Sequence, residues 1–159
     1  MALGRTDETE LLLPLHEGWG EEPRWEIFRN RLRQRTRADA AWLMTGPFGA
    51  RLPAPLPDIA PERLRPNRVY AAAELEGTGA GDLRILHVAA GMGAVLAIAS
   101  AAREFSAADG ALLSALAPHL AIALEGLARQ ERLRARLDRA EAALARTGTG
   151  WISLTARRA

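Results

Sequence analysis

Between Phe105 and Thr147 the apolar positions fall at helical spacing for about 40 residues without a break except Pro118. Leu112, Leu113, Leu116, Leu120, Ile122, Leu124 and Leu127 make a stripe broad enough to cover a sheet. Beyond Leu127 it narrows to Leu133, Leu137, Ala140 and Leu144, set among Arg129, Arg132, Arg134, Arg136, Asp138, Arg139 and Glu141. A stripe that thin cannot be buried by the helix alone, which predicts pairing with a second copy. The start is marked by Ser106 as cap, Asp109 three residues on and Phe105 packing back over the first turn. Pro118 lacks an N–H and crowds the preceding turn, which predicts a kink or division near His119.

Upstream the pattern is mixed. Glu10–Glu17, with Leu11, Leu12, Leu13 and Leu15, reads as a short apolar helix ending at Gly18. Trp25, Phe28 and Leu32 lie at i, i+3 and i+7 and predict an amphipathic helix over Pro23–Arg35. Asp39–Thr45 is a short apolar run before Gly46-Pro47 and predicts a strand buried on both sides. Prolines 47, 53, 55, 57, 61 and 66 then make a long loop. An edge strand is expected over Asn67–Ala71, a helical turn over Ala72–Leu75 and a flexible break over Gly77–Gly81. Leu83–Ala89 and Ala94–Ser100, separated by Ala90-Gly-Met-Gly93, read as a hairpin. On its second strand the smaller set, Val95, Ala97 and Ala99, suits close packing of a helix.

Helices at both ends of consecutive strands predict an α+β fold: an antiparallel sheet, N-terminal helices, and a long C-terminal helix packed on one face. The expected organisation is a domain over residues 9–127, a connecting and dimerisation helix over 128–147, and the truncated start of a following domain over 148–159, where Trp151–Thr155 is strand-like.

Composition narrows the chemistry. The chain has 159 residues, 48% apolar, and no cysteine, which excludes disulfides, thiol catalysis and cysteine-based metal sites. Its 21 cationic residues are all arginine, yet the net charge is only +2, against direct DNA binding by this segment. The arginines at 29, 33 and 37 line one face of the second helix, a solvated face or a site for an acidic patch on a partner. No signal peptide and no unbroken apolar run of membrane-spanning length is read, so a cytoplasmic protein without a membrane partner is expected.

His16, His87 and His119 are far apart in sequence and none has a ligand-spaced neighbour, so no metal site and no cofactor is expected. The glycines at 77, 79 and 81 match neither a Walker nor a dinucleotide pattern. With no catalytic pairing visible, a small hydrolase or lyase is the poorest of the readings, and the expectation is a non-enzyme.

The block Phe105-Ser-Ala-Ala-Asp-Gly-Ala-Leu-Leu-Ser-Ala-Leu-Ala-Pro-His-Leu-Ala-Ile-Ala-Leu124, behind its glycine-bounded hairpin, resembles the closing strand and helix of GAF-type sensor domains. With Leu13-Pro-Leu-His-Glu-Gly18, Arg68-Val-Tyr70 and Gly148-Thr-Gly-Trp-Ile152 the chain is similar to the N-terminal half of alphaproteobacterial LuxR-type helix-turn-helix regulators. The resemblance implies a GAF/PAS-like sheet, a noncatalytic sensory role, and contact with DNA only through a helix-turn-helix domain missing from this sequence. It also implies a small-molecule site between the sheet and its covering loop. Strand alternation then nominates Trp42, Met44, Tyr70, His87, Leu96 and Ile98 as ligand-binding residues under the proline-rich loop. Leu116, Leu120, Leu127, Leu133, Leu137 and Leu144 are nominated for a homodimer interface. A purely structural dimerisation module without a ligand is the alternative.

Overall fold

The computed structural model describes residues 4, 7–75 and 81–146. The expectations for Gly77–Ala80, Thr147 and the strand-like run Trp151–Thr155 lie outside the described residues. The chain divides into a unit over Met1–Leu127 and a second over Ala128–Ala159.

The fold is α+β. A π-helical turn over Glu8–Leu12 runs into α1 (Leu13–Glu17), and α2 follows over Glu26–Thr36. Four strands, β1 (Ala40–Thr45), β2 (Val69–Ala71), β3 (Asp82–Val88) and β4 (Ala94–Ser100), precede the 40-residue helix α3 (Ala107–Arg146). The sheet is antiparallel throughout, in the order β1-β4-β3-β2. Strands β2, β3 and β4 form a meander, whereas β1 pairs with the far side of β4, Trp42 opposite Ala97 and Met44 opposite Val95. The chain between β1 and β2 therefore has to cross from one edge of the sheet to the other.

That crossing builds a second core. On the helix side Leu86, Val88, Ala94, Leu96 and Ile98 pack with Phe28, Leu32, Leu113, Leu116, Leu120 and Leu124. On the opposite side Leu83, Ile85, Val95 and Ala97 pack with Leu52, Leu56, Ile59 and Leu64 from the proline-rich crossing. The small residues of β4 thus face the loop rather than a helix, the reverse of the expectation from size. The crossing's own leucines and isoleucine reach down to the sheet and leave room only for Val95 and Ala97 beneath them.

Two local features differ from the periodicity. The second helix begins at Glu26, not at Pro23, because Trp25 takes a left-handed backbone (φ 56°) and turns its indole inward. There Nε1 donates to the Leu15 carbonyl at 2.9 Å, and the Trp25 N–H donates to Gly18 at 2.7 Å. Trp25, Phe28 and Leu32 are nonetheless buried together, as their spacing requires. Helix α3 runs through Pro118 without being divided there. Pro118 is exposed, as is Ser114, whose carbonyl loses its helical donor and has access to water instead.

By length and apolar content alone α3 is long enough to cross a membrane, contrary to the reading of the sequence; its alanines and leucines raise the hydropathy of a helix that is also core. Of its most apolar 18-residue window, 44% is buried inside the protein.

Gly46 closes β1 against the β3–β4 turn: a Cβ there would stand 2.3 Å from the Met92 carbonyl oxygen. Its N–H donates to Gly93 at 2.8 Å. Replacing Gly46 with alanine is expected to destabilise the fold by about 1–3 kcal/mol, measured by urea denaturation with an unchanged m-value.

Candidate functional site

The chemistry of the described residues gathers where β4 hands over to α3. The connection Ala101–Ser106 leaves the ladder, so its backbone N–H groups need partners from side chains. Three carboxylates supply three of them, and the Ser100 hydroxyl accepts from the Arg103 N–H at 3.2 Å. Asp39, just before β1, accepts from Ala101 at 2.7 Å; Asp82, opening β3, accepts from Phe105 at 2.6 Å; Asp109, in the first turn of α3, accepts from Ser106 at 2.8 Å. Ser106 Oγ in turn accepts from the Asp109 N–H at 3.3 Å, so the cap expected from the sequence is formed with reciprocal bonds.

Two arginines complete the arrangement. Arg84 donates to Asp82 and, at 2.9 Å, to the Phe105 carbonyl; Arg103 donates to the Thr36 carbonyl and, at 2.7 Å, to Asp109. Their guanidinium carbons lie 5.9 and 5.5 Å from the ring centroid of buried Phe105. Burial pushes the Asp109 carboxyl up, but the Ser106 N–H and hydroxyl and the Arg103 guanidinium outweigh it and hold the group below the usual carboxylate range.

Two clefts flank this connection. One, of about 580 Å³, is bounded by Ala71–Ala73, Asp82, Arg84 and Arg103. Its arginines are already committed to Asp82, Asp109 and backbone carbonyls, which leaves it poorly suited to a new anion. The other, of about 330 Å³, is lined by the apolar residues Trp42, Leu83, Ala99, Pro55 and Pro57 together with Asp39, Asp82 and Ser100. An apolar lining with a few polar groups is what a small, largely apolar ligand requires. This second cleft is the candidate site, and Ala101, also in its lining, is the residue whose N–H Asp39 holds.

The nominated residues are distributed unevenly about it. Trp42 lines the cleft. Met44 lies on the same face, packed against the loop-side core. Tyr70 is buried on that face too, with its hydroxyl accepting from the Arg65 N–H at 2.9 Å and the Arg68 guanidinium 4.6 Å from its ring centroid, both structural contacts. His87 Nδ1 is 2.9 Å from the Leu64 carbonyl, anchoring the crossing.

Leu96 and Ile98 do not belong to this face. They are fully buried on the helix side, since alternation along β4 turns them away from the loop, as their pairing with Leu43 and Ala41 confirms. Asp39, Asp82 and Ala99 were missed by sequence reasoning. Their signal is weak: the β3–β4 hairpin sets Asp82 opposite Ser100 and Leu83 opposite Ala99, and the pairing of β1 with β4 brings Asp39 to them, a set of neighbours that periodicity does not contain.

The dimer nominees also separate. Leu116, Leu120 and Leu127 are buried in the core of the first unit and unavailable to a partner, whereas Leu133, Leu137 and Leu144 are 53%, 63% and 44% exposed. His16 and His119, distant in sequence, meet edge to face with ring centroids 5.9 Å apart. Among the described residues no group of three or more potential metal ligands is present.

Asp109→Asn is expected to cost about 1–2 kcal/mol at neutral pH, by loss of the charged cap. Because the folded carboxyl is held low, its contribution is complete above the unfolded value of about 3.9 and is lost as pH falls through the lower folded value. Urea titrations at pH 7 and pH 3 will show a smaller difference for the variant than for the parent chain.

No family model, curated protein or solved structure matches the chain, so sequence and geometry carry the functional reading on their own.

Proposed function

We propose that the chain is a noncatalytic, cytoplasmic sensory and dimerisation module of a transcriptional regulator. A small, largely apolar molecule enters the cleft at Trp42, Leu83 and Ala99, and α3 relays its presence to a DNA-binding output outside this sequence. The observation that carries the reading is the hydrogen-bonded joint between cleft and helix. Asp39 and Asp82 both line the cleft and both hold backbone N–H groups of the connection that starts α3. A ligand that binds two arrangements of this joint unequally shifts the helix with it; one that binds both equally shifts nothing.

Dimerisation rests on the other end of α3. Leu133, Leu137 and Leu144 recur four and seven residues apart among arginines and acids, the narrow seam of a two-stranded coil. The DNA-binding output is supported by the resemblance alone. A structural dimerisation module without a ligand is the second reading, favoured by the way Leu52, Leu56, Ile59 and Leu64 fill most of the loop-side layer.

Thermal-shift screening with small aromatic and aliphatic metabolites separates the two readings. A ligand at about 100 times its Kd adds about 2.7 kcal/mol and raises Tm by several degrees. Ala99→Leu, which fills the cleft, is expected to abolish that rise while leaving the fold intact; a screen without a responsive compound favours the structural module.

Leu137→Glu is expected to convert a dimer to a monomer in sedimentation velocity at micromolar concentration. An unchanged sedimentation coefficient would remove the α3 seam from the account.

A further inference from the structure

Among the described residues strand β1 is an edge of the sheet, with β4 on one side and no strand on the other. Its backbone groups can be assigned to the two sides. The Gly46 N–H donates to the Gly93 carbonyl on the β4 side, and in an antiparallel pair the direction alternates residue by residue. Even-numbered positions therefore face β4, and Ala41, Leu43 and Thr45 present their N–H and C=O groups outward. No hydrogen bond from a described residue is made to these outward groups.

The composition of the edge is unusual for a strand left open. Ala-Ala-Trp-Leu-Met-Thr contains no charge and no proline, the devices that ordinarily prevent strand addition. At the other edge β2 is only three residues long, with the Arg68–Glu74 ion pair beside it. The contrast sets β1 apart as the edge able to accept a further strand.

We propose that β1 docks against β1 of a second copy of this chain, antiparallel, joining two four-stranded sheets into one of eight. The sequence is complementary to itself about Leu43. With Leu43 opposite its own copy, Ala41 faces Thr45 and Trp42 faces Met44, twice over by symmetry. Each Trp42–Met44 pair sets a thioether against an indole on the loop side, and no like charges meet. Shifting the register by two residues in either direction carries Asp39 or Pro47 further into the ladder, so the ends of the strand select this pairing.

Six residues span about 20 Å, and a contact of that length falls short of the roughly 1,200 Å² buried by stable interfaces. The association is therefore weak and concentration-dependent. It uses none of the α3 seam and stands or falls separately from it.

The test uses the full chain carrying Leu137→Glu, which silences that seam. Sedimentation velocity on a series rising from micromolar concentration, where this variant is monomeric, to near-millimolar should show reversible self-association. Ala41→Pro, which removes an outward N–H and no bond to β4, should weaken it about tenfold or more with circular dichroism unchanged. Thr45→Lys, a charge on the same edge, should do the same if the proline variant does not fold. A second readout comes from Leu43→Cys in this cysteine-free chain. Opposed residues of a hydrogen-bonded antiparallel pair stand about 5.5 Å apart at Cα, within disulfide range, so mild oxidation should yield a covalent dimer. A seam-silenced chain that stays monomeric throughout overturns the proposal. So does association insensitive to Ala41→Pro and Thr45→Lys, or a Leu43→Cys chain that does not cross-link. Capture of an extended peptide on the edge in place of a second copy overturns it as well.

Discussion

The fold depends on satisfying the backbone between the sheet and the long helix. Residues Ala101–Ser106 have left the β ladder and have not yet entered helical bonding, so each N–H there left without a partner and away from water costs free energy of the order of a lost hydrogen bond. Asp39, Ser100, Asp82 and Asp109 take those of Ala101, Arg103, Phe105 and Ser106 in turn. Arg84 and Arg103 neutralise two of the carboxylates and return bonds to the Phe105 and Thr36 carbonyls. The acids come from before β1, from the start of β3 and from α3 itself, so the joint ties three separate stretches of chain to one short segment. Asp39 and Asp82, which line the cleft, thus also hold the segment that leads into the first turn of the helix.

The two layers on the sheet differ in kind. On the helix side, regular elements bury leucines and isoleucines in complementary rows. On the other side an irregular, proline-rich crossing supplies four large aliphatic residues at irregular intervals, and Tyr70 and His87 spend their polar atoms on holding it to the sheet. The prolines reduce the conformational freedom lost on folding, so such a segment can order without forming secondary structure. The cleft is lined on the crossing's side by Pro55 and Pro57 rather than by those four residues.

Much of the architecture was legible in the sequence because it follows from short-range rules. The cap at Ser106 and Asp109, the inward row Trp25, Phe28, Leu32 and the strand bounds of β4 all arise from spacing and local chemistry. What spacing does not contain is which face of a strand meets which layer. Leu96 and Ile98 were placed under the loop, and Leu116, Leu120 and Leu127 at a dimer surface. The first follows from not knowing which face of β4 meets the helix; the three leucines of α3 belong to the broad stripe that covers the sheet and are buried there. The site itself was only partly legible. Trp42 belongs to a recognisable strand, and the hairpin already sets Asp82 beside Ala99, but Asp39 joins them only through the pairing of β1 with β4. Pro118 shows the converse: a local rule predicts a kink or a division, and the helix runs on through this exposed position undivided.

The central claim is that the joint at Ala101–Ser106 is a held element coupling the cleft to α3. Amide hydrogen exchange resolved at Ala101, Phe105 and Ser106, in the parent chain and in Asp39→Asn and Asp82→Asn, tests it most directly. The account predicts protection at these amides approaching that of β4, selectively lost at Ala101 in the first variant and at Phe105 in the second, with the first turn of α3 loosening in both. Exchange at the rate of an unstructured loop in the parent chain, or variants that leave the start of α3 unchanged, would contradict it.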